Sequence, residues 1–291
     1  MSWRRLLWWA VRGMNMIAVE PRCRLILDND WAGDPDGLLG LAHHALSPGN
    51  ELVAVTSSLT NPMFGPPEGM AKVGANFAED LLSVLKPDEP VSVHAGPDAP
   101  FDGQARETAA ARAIISAVKA HGHTQVVLVC AGPLTNVADA LLLQPDIASM
   151  FTLVWVGGSA RGDDEEEYNY FTDAAAARFV LDNHQLAVWQ FPSETYRRMV
   201  ISVAELDYSL RNGGPGGVWL WERFNRLEVP DFVKFGPLWC LGDSAPLIVT
   251  ALDDITCTYE ETSAVPYRRI YTSVDTRLII SDFFARLNMQ K

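Results

Sequence analysis

Short apolar segments alternate with amphipathic segments from about residue 23 to the end of the chain. The apolar segments are four or five residues long and rich in β-branched residues, which is typical of strands buried on both faces. Because helical patterns lie between them, the sequence predicts an α/β fold with a mostly parallel sheet covered by helices. The predicted strands are Arg24 to Leu27, Leu52 to Thr56, Val91 to His94, Val126 to Cys130, Thr152 to Val156 and Ala187 to Phe191.

Three segments between the strands have the spacing of amphipathic helices: Gly37 to Leu46, Thr135 to Leu143 and Asp173 to Leu181. Asp34 and Pro35 have the residue types of an N-cap and a first helical residue for the first of them. The glycine-rich run from Gly213 to Gly217 predicts a loop, and the less regular chain after it predicts a lid or a small cap on the sheet. We therefore expect a single domain over residues 23–291.

Residues 1–22 differ from the rest of the chain. Arg4 and Arg5 precede an apolar run from Leu6 to Val11, which resembles the start of a secretion signal. That run is only six residues long, below the roughly 7 to 15 of a signal core, and no later run approaches the roughly 20 residues of a membrane span. We therefore expect a flexible N-terminal extension, or a start codon upstream of Met14 or Met16, and no membrane partner.

The charge and the cysteines restrict the partners and the compartment. A net charge of -13 argues against a nucleic-acid partner, because binding to the phosphate backbone depends on clustered Lys and Arg. Cys23, Cys130, Cys240 and Cys257 are far apart, show no metal-type spacing and lie mostly in apolar runs. They are therefore expected to be reduced core residues, which favours the cytoplasm.

Four carboxylates fall within nine residues, directly after the first predicted strand. These are the side chains of Asp28, Asp30, Asp34 and Asp36. Like charges at the end of a strand repel one another, and a bound hard cation with oxygen ligands is the simplest way to keep several of them ionised. In open α/β sheets the carboxyl ends of the strands are also where ligands bind. The cluster therefore predicts a functional site.

Polar segments also follow other strands, and in a parallel sheet all of them face one rim. They are Thr56 to Asn61, Ala131 to Asn136, Gly157-Gly158 with Glu167 to Asn169 beyond, and Gly242 to Pro246. Together with the acidic cluster they predict one site built from distant parts of the sequence.

Between about residues 23 and 255 these segments resemble, in order, the inosine-uridine preferring nucleoside hydrolase family. The resemblance rests on Asp28 to Asp36, Leu128 to Asn136, Gly157-Gly158, Glu167 to Asn169 with Asp173 beyond, and Asp243 before a late helix. It implies a doubly wound α/β domain with helices on both faces and a Ca²⁺ ion at the rim of the sheet. It also implies hydrolysis of the N-glycosidic bond of ribonucleosides, a role in purine and pyrimidine salvage, and a homodimer or homotetramer.

The resemblance also assigns roles to single residues. Asp30 is the expected general base, which takes a proton from water as it attacks the anomeric carbon, and it is a metal ligand as well. Asp243 is expected as a second carboxylate ligand, and Ala131 as the residue whose backbone carbonyl completes the shell. The positions expected to hold the ribose hydroxyls are Asn61, Glu167 and Asn169.

This chain departs from the common family pattern at two places. The family usually has two adjacent aspartates in the opening motif, whereas here Pro35 separates Asp34 from Asp36 and Gly37 follows. Both aspartates are therefore candidate metal ligands, and Asp36 is also a candidate ribose contact. Many members have a histidine before the late aspartate that protonates the leaving base, but this chain has Gly242. Aromatic stacking of a purine is an alternative means of activation, and its candidates are Trp31, Tyr168 and Trp239.

Other interpretations of the same residues remain open. Asp34 and Asp243 have the residue type of helix N-caps, Asn136 is expected to be structural, and the histidines are expected to have no catalytic role. In place of a nucleoside hydrolase, the chain is a candidate hydrolase of a non-nucleoside ribosyl substrate or a silent ribose-binding protein. A haloacid-type phosphatase, which also has Asp-x-Asp after a strand, is disfavoured because the further acids would repel a phosphate dianion.

Overall fold

A computed structural model describes residues 18–120, 122–162, 166–227, 235–262 and 267–290. The predicted extension therefore lies largely outside the described residues. The strands in these ranges are β1 (Arg24–Asn29), β2 (Glu51–Ser57), β3 (Val93–Ala95), β4 (Val126–Cys130), β5 (Phe151–Val156), β6 (Ala187–Phe191), β7 (Val200–Ser202), β8 (Leu238–Cys240), β9 (Thr258–Thr262) and β10 (Arg268–Ser273).

Eight of these strands form one sheet in the order β3-β2-β1-β4-β5-β6-β10-β9, and β7 and β8 form a separate antiparallel pair. Every pairing in the large sheet is parallel except that of β9 with β10. The chain runs outward from β1 to β3 on one side and from β4 to β6 on the other. The strand order therefore reverses between β1 and β4, which is the switch point where doubly wound sheets bind ligands.

The helices are α1 (Asp36–Leu46), α2 (Met70–Leu85), α3 (Ala109–Lys119), α4 (Thr135–Leu143), α5 (Tyr168–Thr172), α6 (Ala174–Leu181), α7 (Ser193–Tyr196), α8 (Val203–Arg211), α9 (Gly214–Asn225), α10 (Leu247–Thr250) and α11 (Thr276–Met289). Within the described ranges, 3₁₀ segments span Pro62–Phe64, Pro145–Met150, Gly242–Ser244 and Asp254–Thr256. No helix in the described ranges is long and apolar enough to cross a membrane.

Side chains of β1 alternate between two cores, one on each face of the sheet, as the two-residue period of a strand requires. Leu25 and Leu27 belong to the first core and Ile26 to the second. The first core also contains residues of α1, α2 and α11, and the second contains residues of α3, α4 and α6. Helices thus cover both faces, so the predicted doubly wound, mostly parallel α/β fold is confirmed.

All six predicted strands and all three predicted helices are present, with small shifts of their ends. Two local predictions are wrong. The run from Gly213 to Gly217 is not a loop, because Gly213 caps α9 and Gly214 to Gly217 form its first turn, with Pro215 at the start of the helix. Asp34 is not the N-cap of α1, because the helix begins at Asp36 and Pro35 occupies the cap position. The four cysteines are free, in agreement with their expected reduced state, but only Cys23 and Cys130 are core residues, since Cys240 and Cys257 are half-buried.

Asp173 connects three segments on the second face of the sheet. Its Oδ1 accepts a bond from the Ala176 amide at 3.0 Å, which caps α6. Its Oδ2 accepts bonds from the Phe101 amide at 2.8 Å and from the Thr135 hydroxyl at 2.7 Å. The side chain is 2% exposed, so its loss would leave buried donors without partners.

We predict that Asp173→Ala lowers the free energy of unfolding by about 3 kcal/mol, because a cap and two buried bonds are lost together. The matched control is Asp275→Ala, since Asp275 caps α11 through one bond to the Leu278 amide and its loss should cost about 1 kcal/mol. Urea denaturation of both variants measures the difference. Equal losses in the two variants would show that Asp173 is only a helix cap.

Candidate active site

The site lies at the switch point, where the ends of β1 and β4 meet a late segment of the chain. Asn29 Nδ2 donates a hydrogen bond to Asp243 Oδ2 at 2.9 Å, although the two residues are 214 positions apart. The Asp243 amide donates to Asp36 Oδ2 at 3.1 Å. The structure therefore brings together aspartates from the opening motif and from the 3₁₀ segment Gly242–Ser244, as the sequence predicted.

The carboxylates of this cluster are buried or half-buried and lack a cationic partner. In the described ranges no lysine, arginine or histidine forms an ion pair with Asp30, Asp36 or Asp243. Burial, and then the charge of Asp243, raises the pKa of Asp30 and of Asp36 well above the usual value. Burial, and then the charge of Asp34, raises the pKa of Asp243 to about 8. The cluster is thus short of positive charge.

The absence of a side chain at Gly37 shapes the centre of this cluster. A Cβ at this position would collide with Asn29 Nδ2 and would lie 3.1 Å from Asp243 Oδ2. Gly37 directly follows Asp36. The space that a side chain at position 37 would enter is taken by the Asn29 amide group. Asp34 is exposed at the edge of the cluster, and its Oδ1 accepts from the Asp36 amide at 3.3 Å.

Asp28 lies beneath the cluster and has a structural environment. Its carboxylate accepts hydrogen bonds from the Thr56 hydroxyl, from Asn136 Nδ2 at 2.7 Å and from the Cys130 thiol at 3.4 Å. Burial raises the pKa of Asp28 to about 6. These bonds join β1 to β2 and to the segment after β4, so Asp28 fixes the backbone that carries Asp30. Asn136 is therefore structural, as expected.

Tyr168 holds one oxygen of the predicted general base. Its hydroxyl donates to Asp30 Oδ2 at 3.0 Å, and its ring contacts Phe64 edge to face at a centroid distance of 6.3 Å. The phenol stands on α5, directly after Glu167. The sequence indicates Tyr168 only as a candidate stacking residue, whereas the structure shows that its hydroxyl orients the Asp30 carboxylate.

The residues predicted to contact ribose lie around the same rim and also join its loops. Asn169 Nδ2 donates to the Ala131 carbonyl at 3.0 Å, while Asn169 Oδ1 is buried without a hydrogen-bond partner. Glu167 accepts bonds from the Gly158 and Tyr170 amides and from the Tyr196 hydroxyl.

Asn61 connects two loops of the rim and has no described bond to the acidic cluster. Its Nδ2 donates to the Thr172 hydroxyl at 2.8 Å, and its Oδ1 accepts from the Met63 amide at 3.0 Å. As they stand, the side chains of Asn61 and Glu167 are engaged with protein groups, and Asn169 retains a free acceptor. The ribose roles of these residues stay predictions.

Tyr196 packs against Gly242, the residue that directly precedes Asp243. A Cβ at Gly242 would lie 2.7 Å from Tyr196 Cδ2. The Tyr196 hydroxyl donates to Glu167 Oε1 at 2.8 Å. A bulkier residue at position 242 would displace this ring, so the glycine and the tyrosine form one packed arrangement. Sequence reasoning missed Tyr196 because nothing in the pattern around the short helix α7 points to Gly242.

The two candidate stacking tryptophans have different environments. Trp31 is 1% exposed, and its indole donates to the Thr56 carbonyl at 2.8 Å, so most of its surface belongs to the core. Trp239 on β8 lies in an aromatic cluster, with centroid distances of 4.9 Å to Phe224 and 5.2 Å to Phe235. Among the described residues Trp239 has no hydrogen bond with the acidic cluster. Its substrate-binding role stays a prediction.

Solved structures with a similar fold include several nucleoside hydrolases. An inosine-guanosine nucleoside hydrolase superposes with a TM-score of 0.70 at 18% identity, over 91% of this chain and 98% of that chain. An inosine-uridine preferring nucleoside hydrolase from Bacillus anthracis superposes with a TM-score of 0.66 at 14% identity, over 91% of this chain and 99% of that chain. The type III effector XopQ, solved with adenosine diphosphate ribose, superposes with a TM-score of 0.68 at 18% identity, over 93% of this chain and 94% of that chain. No curated protein sequence matches the chain.

The family assignment rests on the sequence match rather than on these structural likenesses. The model of the family described as inosine-uridine preferring nucleoside hydrolase matches residues 25–277. This range contains every segment on which the resemblance rested, from the opening acidic motif to Asp243. The chain belongs to the inosine-uridine preferring nucleoside hydrolase family, a family of N-glycosyl hydrolases.

Proposed function

We propose that the protein hydrolyses the N-glycosidic bond of ribonucleosides in a calcium-dependent reaction that releases free base and ribose. The observation that carries this proposal is the convergence of Asp30, Asp36 and Asp243 at the switch point without a cationic partner in the described ranges. Family membership supplies the reaction class. A homodimer or homotetramer and a cytoplasmic location remain predictions.

The donor chemistry at the cluster fits a hard cation. All candidate ligands are oxygen atoms, which Ca²⁺ prefers, and they are carboxylates that repel one another when ionised. Among the described residues no group of three or more His, Cys, Asp or Glu side chains is already arranged as a metal site. The carboxylates bond instead to Asn29, Tyr168 and a backbone amide. Binding would therefore require these side chains to turn toward the ion.

The proposed ligands are Asp30, Asp36 and Asp243 with the Ala131 carbonyl. Asp36 is preferred to Asp34 as the ligand from the second half of the motif, because Asp36 is 6% exposed and bonded to the Asp243 amide, whereas Asp34 is exposed. A bound Ca²⁺ ion would supply positive charge that makes an adjacent water more acidic. Asp34 then contributes negative charge at the edge of the site.

Asp30 is the proposed general base. Tyr168 occupies Oδ2, so we assign Oδ1 as the atom that takes the proton from water as the water attacks the anomeric carbon. Asn61, Glu167 and Asn169 are proposed to orient the ribose hydroxyls, and the free Oδ1 of Asn169 supports an acceptor role for that residue. The C–N bond breaks, and its electron pair leaves with the base.

A second candidate function is binding of a ribosyl ligand without turnover. This chain has Gly242 where many family members have the histidine that protonates the leaving base. The chain also has a fold similar to that of an effector solved with adenosine diphosphate ribose. The two candidates differ in one measurement. An enzyme releases base and ribose from a member of a nucleoside panel, whereas a binding protein is thermally stabilised by ribose or adenosine diphosphate ribose and releases neither product.

We predict that Asp30→Asn abolishes nucleoside hydrolysis, because the amide cannot accept the proton from water. Release of reducing sugar and free base, measured over a panel of ribonucleosides with calcium present, tests this expectation. The melting temperature in chelator should change little, since the only side-chain bond lost is the one from Tyr168. Asp34→Asn is the matched control and should retain more activity. Full activity of Asp30→Asn would show that Asp30 is not the base.

We also predict an inverted pH dependence of stability in the calcium-free protein. The pKa of Asp243 is raised to about 8 in the folded state, compared with about 4 in an unfolded chain. The folded state therefore favours the protonated form. The contribution of protonated Asp243 to the free energy of unfolding is fully present below pH about 4 and is lost as the pH rises through about 8.

In chelator, the free energy of unfolding should accordingly fall by a few kcal/mol between pH 5 and pH 8, roughly 1.4 kcal/mol for each unit of the raised pKa. Asp243→Asn should reduce this fall without abolishing it, because burial also raises the pKa of Asp30 and Asp36, and calcium should reverse it by binding the ionised carboxylates. Urea denaturation at both pH values, with and without calcium, gives the comparison. A wild-type protein that is equally stable at both pH values in chelator would contradict the expectation.

A further inference from the structure

A cavity of about 230 Å³ opens beside the acidic cluster. On one side it is lined by Gly33 and Pro35 of the opening motif, and on the other by Arg223 and Arg226 at the end of α9. Aromatic and aliphatic side chains, among them Phe64, form the remaining walls. In a chain with a net charge of -13, a cavity lined by two arginines is a local exception.

The cavity lies directly next to the predicted general base. Gly33 lines the cavity, and a Cβ at Gly33 would lie 3.0 Å from Asp30 Oδ2, so this wall of the cavity adjoins that carboxylate. Phe64, on another wall, contacts Tyr168, which donates to the same oxygen. A group attached to a sugar that is held near Asp30 would therefore enter this space.

Arg223 is held in place by aromatic rings and keeps unused donors. Its guanidinium carbon is 4.8 Å from the ring centroid of Phe77 and 5.2 Å from that of Trp219. Its Nε is buried and has no hydrogen-bond partner. Stacking uses the face of a guanidinium, whereas its N–H donors lie in the plane. Among the described residues Nε has no protein acceptor, and Arg223 lines the cavity.

Two other arginines stack on aromatic rings, and unlike Arg223 both of them are paired with a carboxylate. Arg211 lies over Trp221 and is paired with Asp207. Arg269 lies over Trp189 and Tyr259 and is paired with Glu261 and Asp254. Within the described ranges no carboxylate pairs with Arg223. Its charge is oriented but not neutralised.

We propose that this cavity receives the leaving group and that Arg223 stabilises the negative charge that develops on it. The inference rests on the proposed hydrolase function and adds the residue that activates the leaving group. When the C–N bond breaks, its electron pair moves to the base and is delocalised onto an exocyclic oxygen, which accepts an N–H bond from Arg223. The attacking water gives its proton to Asp30, and the released base anion is protonated by solvent.

This assignment accounts for the missing acid at Gly242. A guanidinium does not give up its proton near neutral pH, but it stabilises an anion through charge and paired hydrogen bonds. The cavity volume of about 230 Å³ is below the roughly 300 to 1,000 Å³ of a site that encloses a whole drug-sized ligand. It suits a planar ring beside a sugar that is bound elsewhere.

The first test compares leaving groups of different basicity. Arg223→Gln should lower kcat for inosine or uridine by roughly 10²–10³-fold, as for the loss of one donor to a developing anion. It should lower kcat for 4-nitrophenyl β-ribofuranoside far less, because nitrophenolate leaves without help. Arg211→Gln is the matched control and should leave both values unchanged. An equal fall for both substrates, or no fall for either, would overturn the proposal.

The second test measures binding and does not depend on turnover. Xanthine at a pH at which it is an anion should bind the wild type and Arg211→Gln in calorimetric titration, should bind Arg223→Lys more weakly, and should bind Arg223→Gln weakest of all. Equal affinity of wild type and Arg223→Gln, or no binding to the wild type, would overturn the assignment of the cavity. If the wild type cleaves no nucleoside but xanthine binding depends on Arg223, the proposed hydrolysis fails and recognition of an anionic heterocycle by Arg223 stands.

Discussion

Mutual repulsion among buried carboxylates is the constraint that the rest of the site depends on. Asp30, Asp36 and Asp243 share one end of the sheet, where burial raises the pKa of all three. The charge of Asp243 raises the pKa of Asp30 and Asp36 further, and the charge of Asp34 raises that of Asp243. Their hydrogen-bond donors are neutral groups, namely the Asn29 amide, the Tyr168 hydroxyl and a backbone N–H. Neutral donors reduce the repulsion but do not remove it, so a bound cation is the component that best completes this arrangement.

The fold holds this unfavourable group together by fixing its backbone from below. The Asp28 carboxylate accepts hydrogen bonds from Thr56 near the end of β2 and from Cys130 at the end of β4. It accepts a third from Asn136 on α4. Because β1 is paired along its length with strands on both sides, its carboxyl end cannot move away to relieve the repulsion. The cost at the site is thus offset by the hydrogen bonds and the packing of the central strands.

Most of the sheet and the acidic half of the site could be predicted because their signals are local. β1 to β6 are short apolar runs, and the opening motif places its aspartates directly after β1. β9 was missed because all five of its residues are exposed and carry no apolar alternation. The helix that begins in the glycine run was missed because glycine is a poor helix former, and packing against other helices overrides that preference.

The residues that sequence reasoning missed act through contacts between distant segments. Tyr196 packs on Gly242, and Arg223 stacks on Phe77 beside the opening motif. Neither residue belongs to a recognisable pattern in its own segment. Whether an arginine is neutralised or left with free donors is decided by the presence of a nearby carboxylate in three dimensions, as the contrast between Arg223 and Arg269 shows.

Calorimetric titration of the chelator-treated protein with Ca²⁺ is the most direct test of the central claim that the aspartate cluster holds a hard cation. The account predicts one binding site in the wild type and loss of that site in Asp243→Asn, with Asp275→Asn, far along the chain, binding as the wild type does. Absence of calcium binding to the wild type, or undiminished binding to Asp243→Asn, would contradict it.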